Sequence, residues 1–397
     1  MRRKVMALIL TNLINYTCLY CFFTIFQIVI FREKGSLQDV SYFLLVFSIP
    51  RIVFSIFIGK YISKYDMKKI IILSHTALSI LLFLLLFKHT IYFLLGITFI
   101  FSFFSQVYKI SILSYIPRIT EQRNLLKFNA LLSSAEAMGI IIGPFISKFL
   151  INSFYKYSLF NFIGYISSVF LLIIFYYKNK NMINKKILKE EQKNIRIGDF
   201  FKLLYTKWNK INLVFIFLIS LITALQGVML IPYVTKILLK NEEEIGVLMS
   251  FQGTGMILIG FIGEKFLTNI KIKKLYQILS YSFGITAFSI LGYLIFRNFF
   301  AIVLFFILIE GATVSLIYSC IYSLAQLFNK KNISEMFGAI NMLEGFVYVA
   351  GTLFLPMVLN YVDVIYLYFG VVLLFIGLFL FVQLILKNVH LKFRDRR

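Results

Sequence analysis

The chain has 397 residues, of which 60% are hydrophobic and only 15% are charged, whereas a soluble chain carries roughly 25% charged residues. Its net charge of +24 would suggest a nucleic-acid partner in a soluble protein, but here the basic residues lie in connections between long apolar runs, which indicates membrane topology. Because each run is apolar on every face, the sequence predicts an all-α membrane protein and not a β-barrel.

Six apolar runs in the first half of the chain are long enough to cross a bilayer, which takes about 20 residues. They are 5–31, 40–58, 70–87, 91–112, 129–151 and 158–177. The first run is longer than the apolar core of a cleavable signal, which spans about 7–15 residues, so we expect it to be helix 1. Cys18 and Cys21 lie within it, and we expect them to pack as apolar side chains.

A basic segment at 178–210, with ten Lys or Arg, precedes six further apolar runs. These are 211–234, 245–262, 275–296, 299–324, 338–358 and 364–386. The two sets resemble each other, since Glu136 precedes Gly143 by seven residues and Glu344 precedes Gly351 by seven. The sequence therefore predicts twelve transmembrane helices in two pseudo-symmetric six-helix bundles, 1–177 and 211–397, joined by a basic cytoplasmic linker at 178–210.

The distribution of Lys and Arg predicts the orientation of these helices. With the N-terminus in the cytoplasm, the connections on that side carry 31 Lys or Arg and those on the other side carry eight. Basic residues concentrate in the cytoplasmic connections of membrane proteins. We therefore expect a multi-pass protein of the cell (inner or plasma) membrane with both termini in the cytoplasm.

The connection between helices 2 and 3 is similar to the signature Gly-x-x-x-Asp-Arg-x-Gly-Arg-Lys of the major facilitator superfamily. The loop residues that correspond to this signature are Gly59, Lys64, Asp66, Lys68 and Lys69, with Lys64 in place of the Arg and Asp66 in place of the second Gly. Ser63 stands where the family has its Asp, so the charge relay that the family builds there lacks that carboxylate. The resemblance extends over essentially the whole chain, and it implies a transporter in which helices 1, 4, 7 and 10 line a central cavity.

Helix 5 and the middle of helix 2 resemble export branches of this family. Residues 129–132 read Asn-Ala-Leu-Leu and are followed by Gly139, Gly143 and Pro144, as in the helix 5 motif of family exporters. Residues 49–51 read Ile-Pro-Arg, which is similar to the macrolide-efflux-like branch. Glycine in a membrane helix permits close contact with a neighbouring helix, and proline permits a mild bend.

Charged side chains at bilayer depth cost at least about 2.5–3.5 kcal/mol each and usually face the interior of a helix bundle. Those in this chain are Arg51, Lys109, Glu136, Glu310 and Glu344. Glu310 lies about 16 Å into helix 10, near the midplane, which predicts a proton or cation coupling site. The alternative is a neutral carboxyl group bonded to a neighbouring helix.

Arg51 and Glu344 each lie roughly 12 Å into the membrane. Helices 2 and 11 are neighbours in the family that the chain resembles, so this resemblance and the matching depths together predict an ion pair between the two side chains. The alternative is that Arg51 bonds nearby carbonyl groups and Glu344 stays protonated. Glu136 is expected either to couple protons or to bond Gln252. Lys109 is expected to extend its amine to the headgroups.

Neutral polar residues on helices 1, 4 and 7, which the resemblance places around the central cavity, are candidates for binding a substrate or a neighbouring helix. They are Asn12, Asn15, Gln106 and Gln226. His75 lies on helix 3, which the resemblance places at the periphery, and we expect it to be a bonded packing residue.

The leading functional hypothesis is proton-coupled export of a small amphipathic compound by alternating access, carried out by a monomer in the lipid bilayer. The sequence has no Gly-x-x-x-x-Gly-Lys-Ser/Thr loop for ATP, no metal-spaced ligand set and no nucleophile–base set. We therefore expect no enzymatic activity, no cofactor, no metal and no nucleic-acid partner. An importer or a lipid flippase of the same fold is the first alternative, and a non-transporting receptor or membrane enzyme is the second.

Overall fold

The computed structural model describes residues 2–34, 37–87, 90–150, 153–178, 207–241, 244–268, 270–330, 332–359 and 361–392. These residues form twelve long helices, which we label α1 to α12 in chain order. The helices are α1 (Arg2–Lys34), α2 (Leu37–Ile62), α3 (Met67–Leu84), α4 (Ile91–Ile119), α5 (Leu125–Leu150), α6 (Phe154–Lys178), α7 (Lys207–Pro232), α8 (Glu244–Phe266), α9 (Ile272–Ile295), α10 (Phe300–Phe328), α11 (Ile333–Leu359) and α12 (Val364–Lys392).

The prediction of an all-helical, multi-pass membrane protein is confirmed. Within the described ranges, eleven helices are long and apolar enough to cross a membrane. Helices suit this environment because each backbone group finds its partner within the same segment, where no water is available. The predicted division into two six-helix bundles stays a prediction.

Several helices continue beyond the predicted apolar runs. The fourth run ends at residue 112, whereas α4 continues to Ile119, and the tenth ends at residue 324, whereas α10 continues to Phe328. The length of an apolar run matches the thickness of the hydrocarbon core. A helix can extend further than its apolar run, because polar side chains are stable in the headgroup region. Of the predicted basic linker, residues 179–206 lie outside the described part, and residues 207–210 form the first turn of α7.

The described chain forms two compact units. The first unit contains Met1–Glu121, Met138–Lys210 and Ala325–Phe346, and the second contains Gln122–Ala137, Ile211–Leu324 and Val347–Arg397. Helices α5 and α11 therefore contribute a segment to each unit. The domain boundaries predicted from the internal repeat are not tested by this division and stay a prediction.

The core of the first unit is apolar and aromatic. Phe22 stacks on Phe26 and on Phe101, with ring centroids 4.0 and 4.1 Å apart. Cys18 and Cys21 are buried free thiols in this same cluster, as expected from their place in an apolar run. The inward side of α1 therefore consists of packing residues at these positions.

Helix α5 lies very close to α1 within the first unit. A Cβ atom added at Gly139 would lie 2.5 Å from the Cβ of Tyr16, and one added at Gly143 would lie 2.8 Å from the backbone nitrogen of Cys21. The two glycines of the exporter-like sequence therefore bring these two helix backbones together.

Candidate functional site

Helices α2 and α11 are in backbone contact within the first unit. A Cβ atom at Gly59 would overlap the carbonyl oxygen of Ser334, and one at Gly338 would lie 2.5 Å from the carbonyl oxygen of Ser55. Only glycine permits this approach, because any side chain would separate the two backbones. The contact brings side chains of α2 and α11 within bonding distance deeper in the same unit.

Arg51 on α2 donates a hydrogen bond to Oε2 of Glu344 on α11, so the ion pair predicted from matching depths is present. Lys109 on α4 also reaches Glu344, with its Nζ 3.1 Å from the same oxygen. The expectation that Lys109 extends to the headgroups was wrong. The buried carboxylate of Glu344 accounts for this position, because a buried charge without an opposite charge beside it is costly.

The three charges share one partly buried position. The side chains of Arg51 and Lys109 are 25% and 19% exposed, whereas Glu344 is 6% exposed. One turn away, the amide of Asn341 donates to the side-chain oxygen of Gln106 at 3.1 Å. Two cations therefore face one carboxylate, and a neutral amide pair continues the polar contact between α4 and α11.

In the connection between α2 and α3, the structure explains why Asp66 stands in place of the second Gly of the family signature. Asp66 is the N-cap of α3, and its carboxylate accepts from the backbone nitrogen of Lys68 at 3.0 Å. Capping satisfies an N–H group that has no partner within the helix. Lys68 is buried, with its amine 6.0 Å above the ring of Tyr115, whereas Lys64 and Lys69 are exposed.

Glu335 is a charged residue near this connection that the sequence analysis missed. It lies in the first turn of α11 and is only 2% exposed. Burial raises the pKa of Glu335, although Ser63 and the positive charges of Arg118 and Lys60 act in the opposite direction. Because it precedes the predicted apolar run, it did not count as a charge at bilayer depth. In this chain a carboxylate therefore faces the connection from α11, while Ser63 stands at the position of the family's Asp.

Glu310 lies in a second polar cluster, in the second unit. Its side chain is 3% exposed on α10, and the amide of Gln226 on α7 donates to its Oε1 at 2.5 Å. Thr313 donates to the backbone oxygen of Glu310 at 3.0 Å, and Thr286 on α9 bonds Thr313. The buried carboxylate of Glu310 thus accepts a hydrogen bond from a neutral side chain, Gln226 on α7.

Three tyrosines accompany this carboxylate. Tyr233, Tyr293 and Tyr368 have ring centroids 5.1 to 5.8 Å apart, and the hydroxyl of Tyr233 donates to the backbone oxygen of Tyr293 at 3.0 Å. Tyr233 begins a π-helical turn, Tyr233–Ile237, which directly follows α7. Such turns often occur at functional sites because they redirect side chains.

Of the two polar residues predicted on α1, Asn12 is bonded through its side chain and Asn15 through its backbone, while the buried side-chain oxygen of Asn15 has no hydrogen-bond partner among the described residues. Asn12 is 3% exposed and accepts from the hydroxyl of Tyr108 at 3.1 Å. Asn15 is also 3% exposed, and its backbone oxygen accepts from Tyr165 at 3.4 Å. His75 bonds Ser168 through its Nδ1 and is fully buried, as expected for a packing histidine.

Glu136 lies half-buried on α5 in the second unit. Two residues earlier, the hydroxyl of Ser134 donates to the backbone oxygen of Met256 on α8 at 3.0 Å, so α5 and α8 are in contact there. The roles predicted for Glu136 stay predictions. Across the described residues, no group of three or more His, Cys, Asp and Glu could hold a metal ion.

Comparison with known proteins identifies the family and the fold. A sequence model of the family described as Major Facilitator Superfamily matches residues 8–274. No curated protein matches the sequence.

Solved transporter structures are similar to this chain along their whole length. The crystal structure of the human organic anion transporter MFSD10 (TETRAN) has a TM-score of 0.75 at 11% identity, covering 96% of this chain and 99% of that one. A bacterial homologue of the iron transporter ferroportin, in its outward-facing state, has a TM-score of 0.65 at 15% identity, covering 96% and 99%. A bacterial homologue of the iron transporter ferroportin, in its outward-facing state with soaked iron, has a TM-score of 0.66 at 15% identity, covering 95% and 98%. At these identities the likeness concerns the fold.

Proposed function

Because the chain belongs to the major facilitator superfamily, we propose that it is a secondary active transporter that exports a small amphipathic compound in exchange for protons, by alternating access. The observation that carries this proposal is Glu310, a carboxylate 3% exposed on a membrane helix and bonded by Gln226. A carboxyl group that alternates between water and an apolar interior releases and takes up a proton. A proton entering down the membrane potential gains about 2.3 kcal/mol per 100 mV, which can drive export.

The cluster of Arg51, Lys109 and Glu344 supplies a second part of the proposed mechanism. Separating Glu344 from its two cations exposes charges that are costly at this depth unless water enters. We assign this cluster the role of a latch, which stays closed in one state of the transport cycle and is hydrated in the other. Because separating these charges costs free energy, the closed and the hydrated states of the cluster remain distinct.

The cluster also bears on the substrate, because it carries two positive charges and one negative charge. Among the structural neighbours is an organic anion transporter. For this chain we propose a compound that combines an apolar body with a weakly anionic group. Import and lipid flipping by the same fold remain alternatives that differ in the direction or the nature of the cargo.

The first experiment identifies the substrate and its direction. Accumulation of a panel of amphipathic compounds is compared between a deletion strain and an overexpressing strain. Export predicts lower accumulation on overexpression, whereas import predicts higher accumulation. A panel that leaves both strains equal, together with no proton movement in vesicles on addition of any compound, would contradict a transport function.

The second experiment tests coupling through Glu310, in proteoliposomes with an imposed pH gradient. Glu310→Gln keeps a hydrogen-bonding side chain for Gln226 but cannot release a proton. It should abolish gradient-driven accumulation while retaining substrate exchange at equal concentrations. Asp363→Asn is a matched control, since Asp363 is exposed and its capping bond to Ile365 can be made by Asn. Gradient-driven accumulation at the normal rate in Glu310→Gln would remove this residue from the mechanism.

A further inference from the structure

A large groove opens on the outside of the first unit, between α2, α3 and α4. Its volume is about 1050 Å³, and its walls are formed mainly by apolar side chains, among them Phe54, Phe57, Leu73, Phe103, Phe104 and Val107. Phe57 and Leu73 are 59% and 63% exposed, so they face away from the helix bundle. In a membrane helix such side chains contact lipid acyl chains.

The groove runs from the end of α2 into the hydrocarbon region. From Tyr61 at its mouth to Phe54 on its wall there are seven residues, or roughly 10 Å of helix. One leaflet of the hydrocarbon core is about 15 Å thick. The groove therefore has the depth to hold a large part of an acyl chain, and its volume is at the upper end of ordinary ligand sites.

The mouth of the groove has the features of a membrane–water interface. Tyr61 and Tyr65 are both more than half exposed there, with ring centroids 4.5 Å apart, and tyrosine is enriched at headgroup level. Asp66 and Lys69 also line the groove, and Lys64 is exposed on the same connection. Asp66 keeps its negative charge while it caps α3, but the lysines of this connection outnumber it, so the net charge near the mouth is positive.

The positive charge at the mouth complements an anionic headgroup. The connection 60–69 carries four Lys and one Asp, a net charge of +3. The amine of Lys68 is directed at Tyr115, which leaves Lys64 and Lys69 as the exposed cations nearest the mouth. Basic pockets between membrane helices bind anionic lipid headgroups, and each basic residue near such a surface contributes measurably to binding.

From this combination we propose that the groove is a binding site for an anionic phospholipid of the surrounding leaflet, with its acyl chain against α2, α3 and α4 and its phosphate at Lys64 and Lys69. The last turns of α2, directly before this connection, pack on α11 through Gly59 and Ser334. A lipid bound at the mouth thus stabilises the segment on which this contact depends. The site is separate from Glu310 and does not require the proposed transport activity.

The test uses tryptophan fluorescence quenched by lipids with brominated acyl chains. The chain has one Trp, so Phe57→Trp in a Trp208→Phe background places a single reporter on the groove wall. Vesicles contain increasing fractions of brominated phosphatidylglycerol or brominated phosphatidylcholine. Half-maximal quenching should require about tenfold less phosphatidylglycerol than phosphatidylcholine.

Charge-removing variants test the headgroup contact. Lys64→Gln with Lys69→Gln should reduce the preference for phosphatidylglycerol roughly tenfold or more, so that the two quenching curves nearly coincide. Lys273→Gln with Lys274→Gln removes the same charge from exposed positions at the start of α9 and should leave the preference intact. Equal quenching by both lipids in the reporter chain, or equal loss in both double variants, would overturn the proposal.

Native mass spectrometry of the unsubstituted chain tests the same lipid preference without any substitution. After release from mixed micelles containing equal amounts of both lipids, the chain should retain one phosphatidylglycerol in preference to phosphatidylcholine. Retention of both lipids in equal amounts, or of neither, would overturn the proposal.

Discussion

The amine of Lys109 lies 3.1 Å from Oε2 of Glu344, although the two residues are 235 positions apart in the sequence. The same oxygen accepts from Arg51, so the carboxylate is shared by two cations. Removal of Glu344 therefore leaves two like charges together, whereas removal of Lys109 leaves a neutral pair. This asymmetry makes the cluster testable by single substitutions.

Glu344→Gln should be the most harmful single substitution in this cluster. It leaves Arg51 and Lys109 adjacent without the carboxylate that they share, and breaking a buried ion pair in this way costs about 3 kcal/mol. Lys109→Gln should cost about 1 kcal/mol or less, since Arg51 still pairs with Glu344. The measurements are thermal stability in detergent and initial transport rate.

The double variant Glu344→Gln with Lys109→Gln separates charge from packing. If repulsion between the two cations is the cause, this variant should be more stable than Glu344→Gln alone, because Arg51 no longer lies beside a second positive charge. A double variant that is less stable than either single variant would contradict the electrostatic explanation.

Gly338→Ala tests the backbone contact between α2 and α11. Its new methyl group would lie 2.5 Å from the carbonyl oxygen of Ser55, and overpacking of this kind costs about 1–3 kcal/mol. Gly96 is also within a helix but has no atom within 4 Å of its added Cβ, so Gly96→Ala should be neutral or stabilising by up to about 1 kcal/mol. Equal melting temperatures for the two variants would show that the contact is not required.

Gln226 and Glu310 should be energetically coupled. A hydrogen bond to a charged group contributes about 1.5–3 kcal/mol, and Gln226→Leu removes the donor while keeping much of the volume. In a double-mutant cycle with Glu310→Leu, which removes the acceptor, the two effects on stability should be non-additive by about 0.5–3 kcal/mol. Additive effects would indicate that the contact contributes little.

Glu335 should make stability fall as pH rises. Burial raises the pKa of this carboxyl group in the folded chain, so the folded state keeps its proton after the unfolded state has lost it. The free energy of unfolding should therefore decrease between the ordinary carboxyl value of 4.5 and the raised pKa, and then level off. Melting curves across this range should show a smaller slope for Glu335→Gln. Glu121 is exposed, and Glu121→Gln should leave the slope in place.

The predicted orientation is tested by labelling cysteines in sealed cells with a membrane-impermeant reagent. The three native cysteines are first replaced. A cysteine at Asn184, in the predicted cytoplasmic linker, should react only after the cells are opened. A cysteine at Tyr361, which is 90% exposed between α11 and α12, should react from outside. The reverse pattern would show that the charge distribution was misread.

The sequence by itself determined the membrane class, the number of long helices and the depth of the charged residues. Each of these follows from local properties, namely run length, the cost of charge in hydrocarbon and the rise of 1.5 Å per residue. Matching depths, together with the adjacency of helices 2 and 11 that the family resemblance implies, predicted the pair of Arg51 with Glu344. The resemblance to family motifs supplied which helices are neighbours.

The rotation of each helix about its axis was decided by tertiary packing. The depth of Lys109 suggested the headgroups as its partner, but the side of α4 on which it lies brings it to Glu344. Glu335 was missed because burial by a neighbouring helix has no signature in run length. The approach of Gly59 to Ser334 and the groove beside it likewise require two helices to be placed together. Apolar runs in a membrane are hydrophobic on all faces. Their sequence therefore has little periodicity that would indicate which side of a helix packs against its neighbours.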